Sequence, residues 1–226
     1  MIAPVKIIVR PRSTSLELKR NPRWLSSFLL LAATSLIIEF FMNSYSESLA
    51  LNHLPASATQ HDKVMVAQWF DQEWISRLAF HPVRLFAGWL LFSLALLYAC
   101  RSAASREPFW FVQILALEVH AESALVLGKL ALLLSVVALN DPPSRLIIPF
   151  SVAGFVDGGS FAATAFFNSL NLFAALYLGI LAAGVSIICN VGRGKAFLIV
   201  LTVWGAAAVV NSGILAGLQD ELHLIP

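Results

Sequence analysis

The sequence predicts an all-α membrane protein, a bundle of five transmembrane helices with amphipathic interfacial helices. Of its 226 residues, 58% are hydrophobic and 12% are charged, about half the charged fraction of a soluble domain. Stretches such as SSFLLLAATSLII show none of the alternation of a β-barrel strand. The composition excludes a disordered chain and a disulfide scaffold. The net charge of +2 is too small for a nucleic-acid binder.

Five segments contain the roughly 20 mainly apolar residues that a membrane crossing needs. Residues 1–23 are predicted to be a cytoplasmic, basic and amphipathic lead, with a short helix that ends at Asn21-Pro22. The transmembrane domain covers 24–218, and 219–226 form a short extracytoplasmic tail. The predicted spans are 24–45, 83–100, 109–139, 165–189 and 196–218.

The distribution of lysine and arginine predicts the orientation, since short loops rich in these residues stay in the cytoplasm. Ten basic residues fall on one side of a five-span chain: Lys6, Arg10, Arg12, Lys19, Arg20, Arg23, Arg101, Arg106, Arg193 and Lys195. We therefore expect a multi-pass cell-membrane protein with a cytoplasmic N-terminus and an extracytoplasmic C-terminus.

Two connections on the predicted outer side contain apolar segments. Val66, Phe70, Trp74 and Leu78 recur at four-residue intervals, which predicts an amphipathic helix over 59–78 lying on the outer interface. It either covers its own bundle or forms a lid or docking ledge. Residues 146–156 are apolar but too short to cross, and they are predicted to be interfacial or re-entrant.

The histidines and cysteines give no metal or disulfide signal. His53, His61 and His81 lack the close spacing of zinc ligands, so no metal and no cofactor is predicted. Cys100 and Cys189 end the second and fourth spans, where the reducing cytoplasm disfavours a disulfide. We expect two small buried thiols, with palmitoylation as the alternative.

The third span carries the ionisable residues Glu118, His120, Glu122 and Lys129. At about 100° per residue, both Glu122 and Lys129 lie within roughly 40° of Glu118 around the helix. His120 points to a different face. Each charge at the bilayer centre costs at least about 2.5 kcal/mol, so the shared face is expected to look into the bundle.

Glu39 of the first span lies at a comparable depth. A Glu39–Lys129 ion pair, or a proton shared between Glu39 and Glu122, is therefore predicted. These charges form either a functional polar path or a structural ion pair that sets helix register. A third possibility applies to Glu118 alone: its side chain extends toward the cytoplasmic headgroups.

Small residues suggest close packing of the last two spans. Ala175, Gly179 and Ala183 form one ridge at four-residue spacing, and Gly213 and Gly217 form another. Packing within the molecule is favoured, with dimerisation as the alternative.

The stretch NSLNLFAALYLGILAAGVSIICNVGRGKAFLIVLTVWGAAAVVNSGILAGL resembles the C-terminal hairpin of bacterial Yip1-family membrane proteins. Asn21-Pro22-Arg23-Trp24 before the first span fits the same order. The resemblance implies a five-helix bundle with a cytoplasmic N-terminus, and partners such as exporter subunits. The D-L-Y-G-P motif of eukaryotic members is missing, so their binding to small GTPases is not implied.

No catalytic motif of a hydrolase, zinc protease or P-loop enzyme occurs in the chain. The leading hypothesis is a non-enzymatic accessory or transport-associated membrane subunit. Its expected partners are membrane lipids and another membrane protein or a second copy, with no nucleic acid. The alternative is a small transporter or lipid-handling protein that uses the Glu/Lys path.

Overall fold

A computed structural model of the protein describes residues 3–52, 54, 59–103, 109–139, 148–155 and 161–223. Within this part the regular structure is helical, apart from one isolated bridge between Ser151 and Asn171. The predicted all-α membrane fold is therefore confirmed. The α-helices are α1 (Ala3–Val9), α2 (Pro11–Arg20), α3 (Leu25–Asn52), α4 (Gln60–Ala103), α5 (Phe111–Ala121), α6 (Ser123–Leu139), α7 (Phe161–Ser169), α8 (Leu172–Ile188) and α9 (Arg193–His223).

Four helical segments are long and apolar enough to cross a membrane. They are Leu25–Ser48 in α3, Leu78–Ala103 in α4, Phe111–Ala138 in α5 and α6, and Arg193–Ser212 in α9. The remaining apolar helix, α8, has 17 residues, which corresponds to about 26 Å and lies at the short end for a crossing. The last helix extends past the predicted end at 218, and 224–226 lie outside the described residues.

The predicted fourth span, 165–189, starts too early because the helix is interrupted before Asn171. The side chain of Asn171 accepts a hydrogen bond of 2.8 Å from the Ala174 amide and so begins a new helix there. Val152 donates its amide to the Leu170 carbonyl at 2.9 Å. Within the predicted piece 146–156, residues 148–155 form a turn and a 3₁₀ helix docked on this interruption. They do not cross the membrane.

The predicted helix over 59–78 is present, and it continues without interruption into the second span as α4, with Pro82 inside the helix. A proline removes one backbone hydrogen bond, but the ring of Trp74 lies 5.7 Å from that of Phe40 on α3. Packing against α3 therefore stabilises the part of α4 that precedes Pro82.

The N-terminal helices pack on the bundle. Ile7, Ser15 and Leu18 are buried, and α1 and α2 contact α5 and α8. Lys6 pairs with Glu17 across the two helices, and the resulting hydrogen bond lowers the pKa of the Glu17 carboxyl. The amphipathic lead thus covers part of the protein, and α2 ends at Arg20, directly before the predicted turn at Asn21-Pro22.

The ends of several helices meet at this same end of the bundle. Lys19 donates to the carbonyl of Ile187, in the last turn of α8, at 3.1 Å. Gln113, near the start of α5, donates to the Lys19 carbonyl at 2.6 Å. Lys195, in the first turn of α9, donates to the Ala103 carbonyl at the end of α4. The described basic segments therefore gather at one end of the molecule, where Cys100 and Cys189 are buried free thiols.

Candidate functional site

The ionisable face of the third span lies where α5 passes into α6. Glu122 is the C-cap residue of α5. The next residue, Ser123, donates a hydrogen bond of 2.6 Å from its hydroxyl to the His120 carbonyl. Such a side-chain bond to the preceding turn competes with the helical hydrogen bonds. The helical backbone hydrogen bonds nevertheless continue. The Glu122 amide donates to the Glu118 carbonyl and the Val126 amide donates to the Glu122 carbonyl, both at 3.0 Å. The span is thus nearly continuous and presents Glu118, Glu122 and Lys129 on one side.

These three residues line a single open cleft of about 410 Å³ between α3, α4, α5 and α6. Glu39 lines the same cleft as Glu118, Glu122 and Lys129, and the role of these four residues as a polar path stays a prediction. We call this space the polar cleft. Its lining residues are Glu39, His81, Arg84, Leu85, Gly88, Trp89, Phe92, Glu118, Glu122 and Lys129.

Glu118 is buried in the wall of the polar cleft, with 2% of its surface exposed. The Tyr177 hydroxyl on α8 donates a hydrogen bond of 2.6 Å to its Oε1. Its Oε2 has no hydrogen-bond partner among the described residues. The predicted alternative, an extension toward the headgroups, is therefore wrong, because Tyr177 holds this carboxyl inside the bundle.

Glu122 is also buried, and it lines the polar cleft together with Trp89 and Lys129. Among the described residues, the Lys129 ammonium makes no ion pair within 4 Å with Glu39 or with Glu122, so the predicted Glu39–Lys129 ion pair is not formed in the structure. The charges share the walls of one cleft and leave space between them.

The polar cleft contains two basic residues that the sequence analysis did not include. His81 is buried and its Nε2 lies 2.9 Å from the Ser35 hydroxyl on α3. Arg84 follows three residues later on the same wall. His81 fell in the outer connection because the second span was predicted to begin at 83, and Arg84 is the second residue of that predicted span. Their helical spacing with Gly88, Trp89 and Phe92 was the signal available for finding them.

Comparison with known proteins agrees with the membrane architecture. The family model of the Yip1 domain matches residues 5–214, which is nearly the whole chain. The chain belongs to the Yip1 family. Searches of curated proteins and of solved structures found no match.

His120 of this Yip1-family chain lies outside the polar cleft, on a different face as predicted. Its Nδ1 is 2.7 Å from the Ala116 carbonyl and therefore donates, because a carbonyl oxygen only accepts. Its Nε2 then accepts from the Ser27 hydroxyl of α3 at 3.0 Å. Both ring nitrogens of this buried side chain are satisfied, so His120 connects α5 to α3.

The small residues of the Yip1-family helices differ in their surroundings. Ala175 and Gly179 are exposed on α8, Ala183 is half-buried, and a Cβ at Gly179 would meet nothing within 4 Å. The close approach within the molecule is instead at Gly184, where a Cβ would overlap Leu117 of α5. Gly213 and Gly217 lie in α9, and their surroundings are outside the described residues. A packing role for the two predicted ridges stays a prediction.

The described part of this Yip1-family chain contains no group of three or more His, Cys, Asp or Glu side chains placed to hold a metal ion. His61 lies at the exposed start of α4, and His81 lies in the polar cleft. His53 is outside the described residues. The chemistry available in the polar cleft is therefore that of carboxyl, ammonium, guanidinium and imidazole groups.

Proposed function

We propose that this Yip1-family protein is a non-enzymatic membrane protein that binds a charged headgroup or solute in the polar cleft and moves it along the membrane normal. The observation that carries the proposal is that Glu39, Glu118, Glu122 and Lys129 line one cleft and belong to helical segments long and apolar enough to cross a membrane. Charged groups inside membrane-spanning segments are costly and are typical of substrate paths and proton relays.

The structural alternative, an ion pair that sets helix register, requires direct contact between opposite charges. The cleft groups instead border about 410 Å³ of space. A buried carboxyl oxygen without a partner, as in Glu118, is unfavourable unless a ligand or a proton satisfies it. A binding site explains both features, whereas a register pair explains neither.

Reconstitution tests this proposal. The purified chain in liposomes is expected to accelerate the movement of labelled lipids or small charged solutes between the two sides, and Glu122→Gln is expected to reduce the rate at least tenfold. Glu73→Gln is the matched control because Glu73 is exposed on the outer part of α4. An unchanged rate in Glu122→Gln would contradict the role of this carboxyl.

A second function, that of an accessory subunit, is favoured by the exposed Ala175 and Gly179 on α8. Small residues let another transmembrane helix approach closely, so a partner helix or a second copy fits this surface. A partner recovered stoichiometrically in mild detergent should be lost in Gly179→Leu. Gly205→Leu is the control, since Gly205 of α9 also has open space around its Cα. Equal recovery from both variants would exclude this surface.

The proposal places the protein in a bacterial inner membrane with its N-terminus in the cytoplasm. Support comes from the basic residues Lys19, Arg20, Arg193 and Lys195, since they belong to segments that meet at one end of the bundle. Basic residues in short connections resist translocation, so this end faces the cytoplasm.

A further inference from the structure

Another open space lies between α3 and α4, on a different side of α4 from the polar cleft. It measures about 270 Å³ and shares no lining residue with the polar cleft. Leu25 and Val83 on its border are 56% and 61% exposed, so it opens to the surroundings of the helices. We call it the apolar groove. Its lining residues are all hydrophobic: Trp24, Leu25, Phe28, Pro82, Val83 and Phe86.

Three aromatic rings give the apolar groove a fixed wall. Trp24 and Phe86 stack, with 5.8 Å between the ring centroids and 19° between the ring planes. Phe28 meets Phe86 edge-to-face at 5.4 Å and meets the buried Trp89 in the same way at 5.5 Å. Aromatic pairs prefer these two geometries. The rings therefore hold one another in place, and the protein itself forms the wall of the groove.

The apolar groove belongs to the membrane-crossing segments. Leu25 is the first residue of such a segment in α3, and Pro82, Val83 and Phe86 lie within the corresponding segment of α4. The groove follows about four residues along each helix, which is a length of about 6 Å. A space at this depth with hydrophobic walls offers a polar solute no partner. It fits part of a lipid acyl chain.

Two arginines precede the apolar groove in the chain. Arg20 is the last residue of α2, and Arg23 comes directly before Trp24. Both are exposed, and among the described residues neither makes an ion pair within 4 Å. The Glu17 carboxyl forms its ion pair with Lys6, whose hydrogen bond lowers the pKa of that carboxyl with a smaller contribution from Arg23. The two guanidinium groups are therefore available to an anion.

Contacts of the neighbouring Lys19 fix the level of these arginines. The Lys19 carbonyl accepts from Gln113 near the start of α5, and the Lys19 ammonium donates to Ile187 in the last turn of α8. The end of α2 thus lies where other helices of the bundle start and end. The apolar segment of α3 begins only at Leu25. The arginines are consequently at the boundary of the hydrocarbon, and the groove lies directly inside it.

We propose that the apolar groove binds an acyl chain of an anionic phospholipid whose phosphate lies at Arg20 and Arg23. The planar guanidinium group matches phosphate oxygens with two parallel hydrogen bonds. Basic residues next to a membrane segment attract anionic headgroups. Ethanolamine and choline headgroups also contain a phosphate, but their cation is repelled by the arginines. This lipid site is separate from the polar cleft and goes beyond the transport function.

The other candidate occupant is a transmembrane helix of a second protein. Helix interfaces in membranes are rich in small residues, which let two backbones approach closely. The apolar groove is instead lined by large side chains such as Trp24 and Phe86. A partner helix would also have to bring acidic groups to the two arginines, whereas a phospholipid has its phosphate at the boundary of the hydrocarbon. Charge and depth together favour the lipid.

Lipid binding to the purified full chain in detergent, measured by native mass spectrometry, tests this inference. The probes are phosphatidylglycerol, phosphatidylethanolamine and phosphatidylcholine with identical acyl chains. We expect phosphatidylglycerol to bind about tenfold more tightly than either of the others, because two basic residues near the surface act on its net charge. Equal binding of the three lipids would overturn the proposal.

Arginine variants test the headgroup end. The double variant Arg20→Gln/Arg23→Gln should bind phosphatidylglycerol and phosphatidylcholine about equally. Arg101→Gln/Arg193→Gln is the matched control, because it removes the same charge from exposed positions at the same end of the bundle. This control should keep the preference. An equal loss in the two double variants would show a diffuse positive field and overturn a local site.

A substitution that fills the apolar groove tests the acyl-chain end. Val83→Trp should weaken binding of all three lipids about tenfold. Leu91→Trp is the control, since Leu91 is 66% exposed on α4 and does not line the groove. Unchanged lipid binding in Val83→Trp would overturn the groove as the site. A copurifying protein that is lost in Val83→Trp, without any lipid preference of the unaltered chain, would identify a partner helix as the occupant and overturn the proposal.

Discussion

The Tyr177 hydroxyl donates a hydrogen bond of 2.6 Å to Oε1 of Glu118 and thereby connects α8 to a wall of the polar cleft. Both side chains are buried, with 3% and 2% of their surfaces exposed. Glu118 therefore has one oxygen held by Tyr177 and one buried oxygen without a hydrogen-bond partner among the described residues. The bond fixes the carboxyl inside the bundle and connects α8 to α5.

Replacing Tyr177 by Phe tests this bond, because it keeps the ring and removes only the donor. The buried Oε1 of Glu118 would lose its partner, which costs about 1–3 kcal/mol. We expect a lower midpoint of thermal unfolding in detergent. Tyr98→Phe is the control, since Tyr98 is 79% exposed on α4. Equal unfolding midpoints for the two variants would show that the bond contributes no stability.

A second prediction concerns the contact between α8 and α5 at Gly184. A Cβ at this position would overlap the side chain of Leu117, which is fully buried and has little room to move. Gly184→Ala should therefore destabilise the protein by about 1–3 kcal/mol through overpacking. Gly179→Ala on the same helix meets nothing within 4 Å and should be neutral or slightly stabilising. Denaturation of both variants in one detergent gives the comparison, and a stable Gly184→Ala would contradict the packing.

A third prediction concerns pH at the start of α4. The Thr59 amide donates to the Asp62 carboxylate at 2.7 Å and the Thr59 hydroxyl does so at 2.8 Å. These bonds hold the pKa of Asp62 below its usual value. A lowered folded-state pKa means that the stabilisation is complete above the unfolded-state pKa and is lost as pH falls through the folded-state pKa.

Carboxyl titration by NMR, together with amide exchange at the first turn of α4, measures this effect. Thr59→Ala removes the hydroxyl donor, so the pKa of Asp62 should rise toward its usual value and the first turn should exchange faster. Ser76→Ala is the control, because the Ser76 hydroxyl bonds to Glu73 and not to Asp62. A pKa of Asp62 that does not change in Thr59→Ala would exclude the hydroxyl as a cause.

A fourth prediction concerns orientation. In a variant whose buried Cys100 and Cys189 are replaced by alanine, Gly192→Cys in the turn between α8 and α9 should react with an impermeant thiol reagent only after the cells are opened. Gln60→Cys, exposed at the start of α4, should react in intact cells. The reverse pattern would invert the proposed orientation, whereas labelling of both sites in intact cells would remove one crossing between them.

The ionisable face of the third span was predictable because it depends on helical geometry alone. Glu118, Glu122 and Lys129 recur at spacings that return to one side of a helix, and lipid cannot be their neighbour. The same argument correctly separated His120 from them. The sequence did not reveal Tyr177 as a partner of Glu118, because contact between two helices depends on their relative register, which no local pattern records.

The membrane class, the helical content and the Yip1 family follow from the sequence by itself, since hydropathy and composition are sums over neighbouring residues. The tertiary structure decided the rest. Packing of Trp74 on Phe40 stabilises the part of α4 that precedes Pro82, and the Asn171 cap shortens α8. The packing of the helices also placed His81 and Arg84 in the polar cleft. These features depend on which helices touch and at what depth, and a buried charge is placed by its neighbours in space.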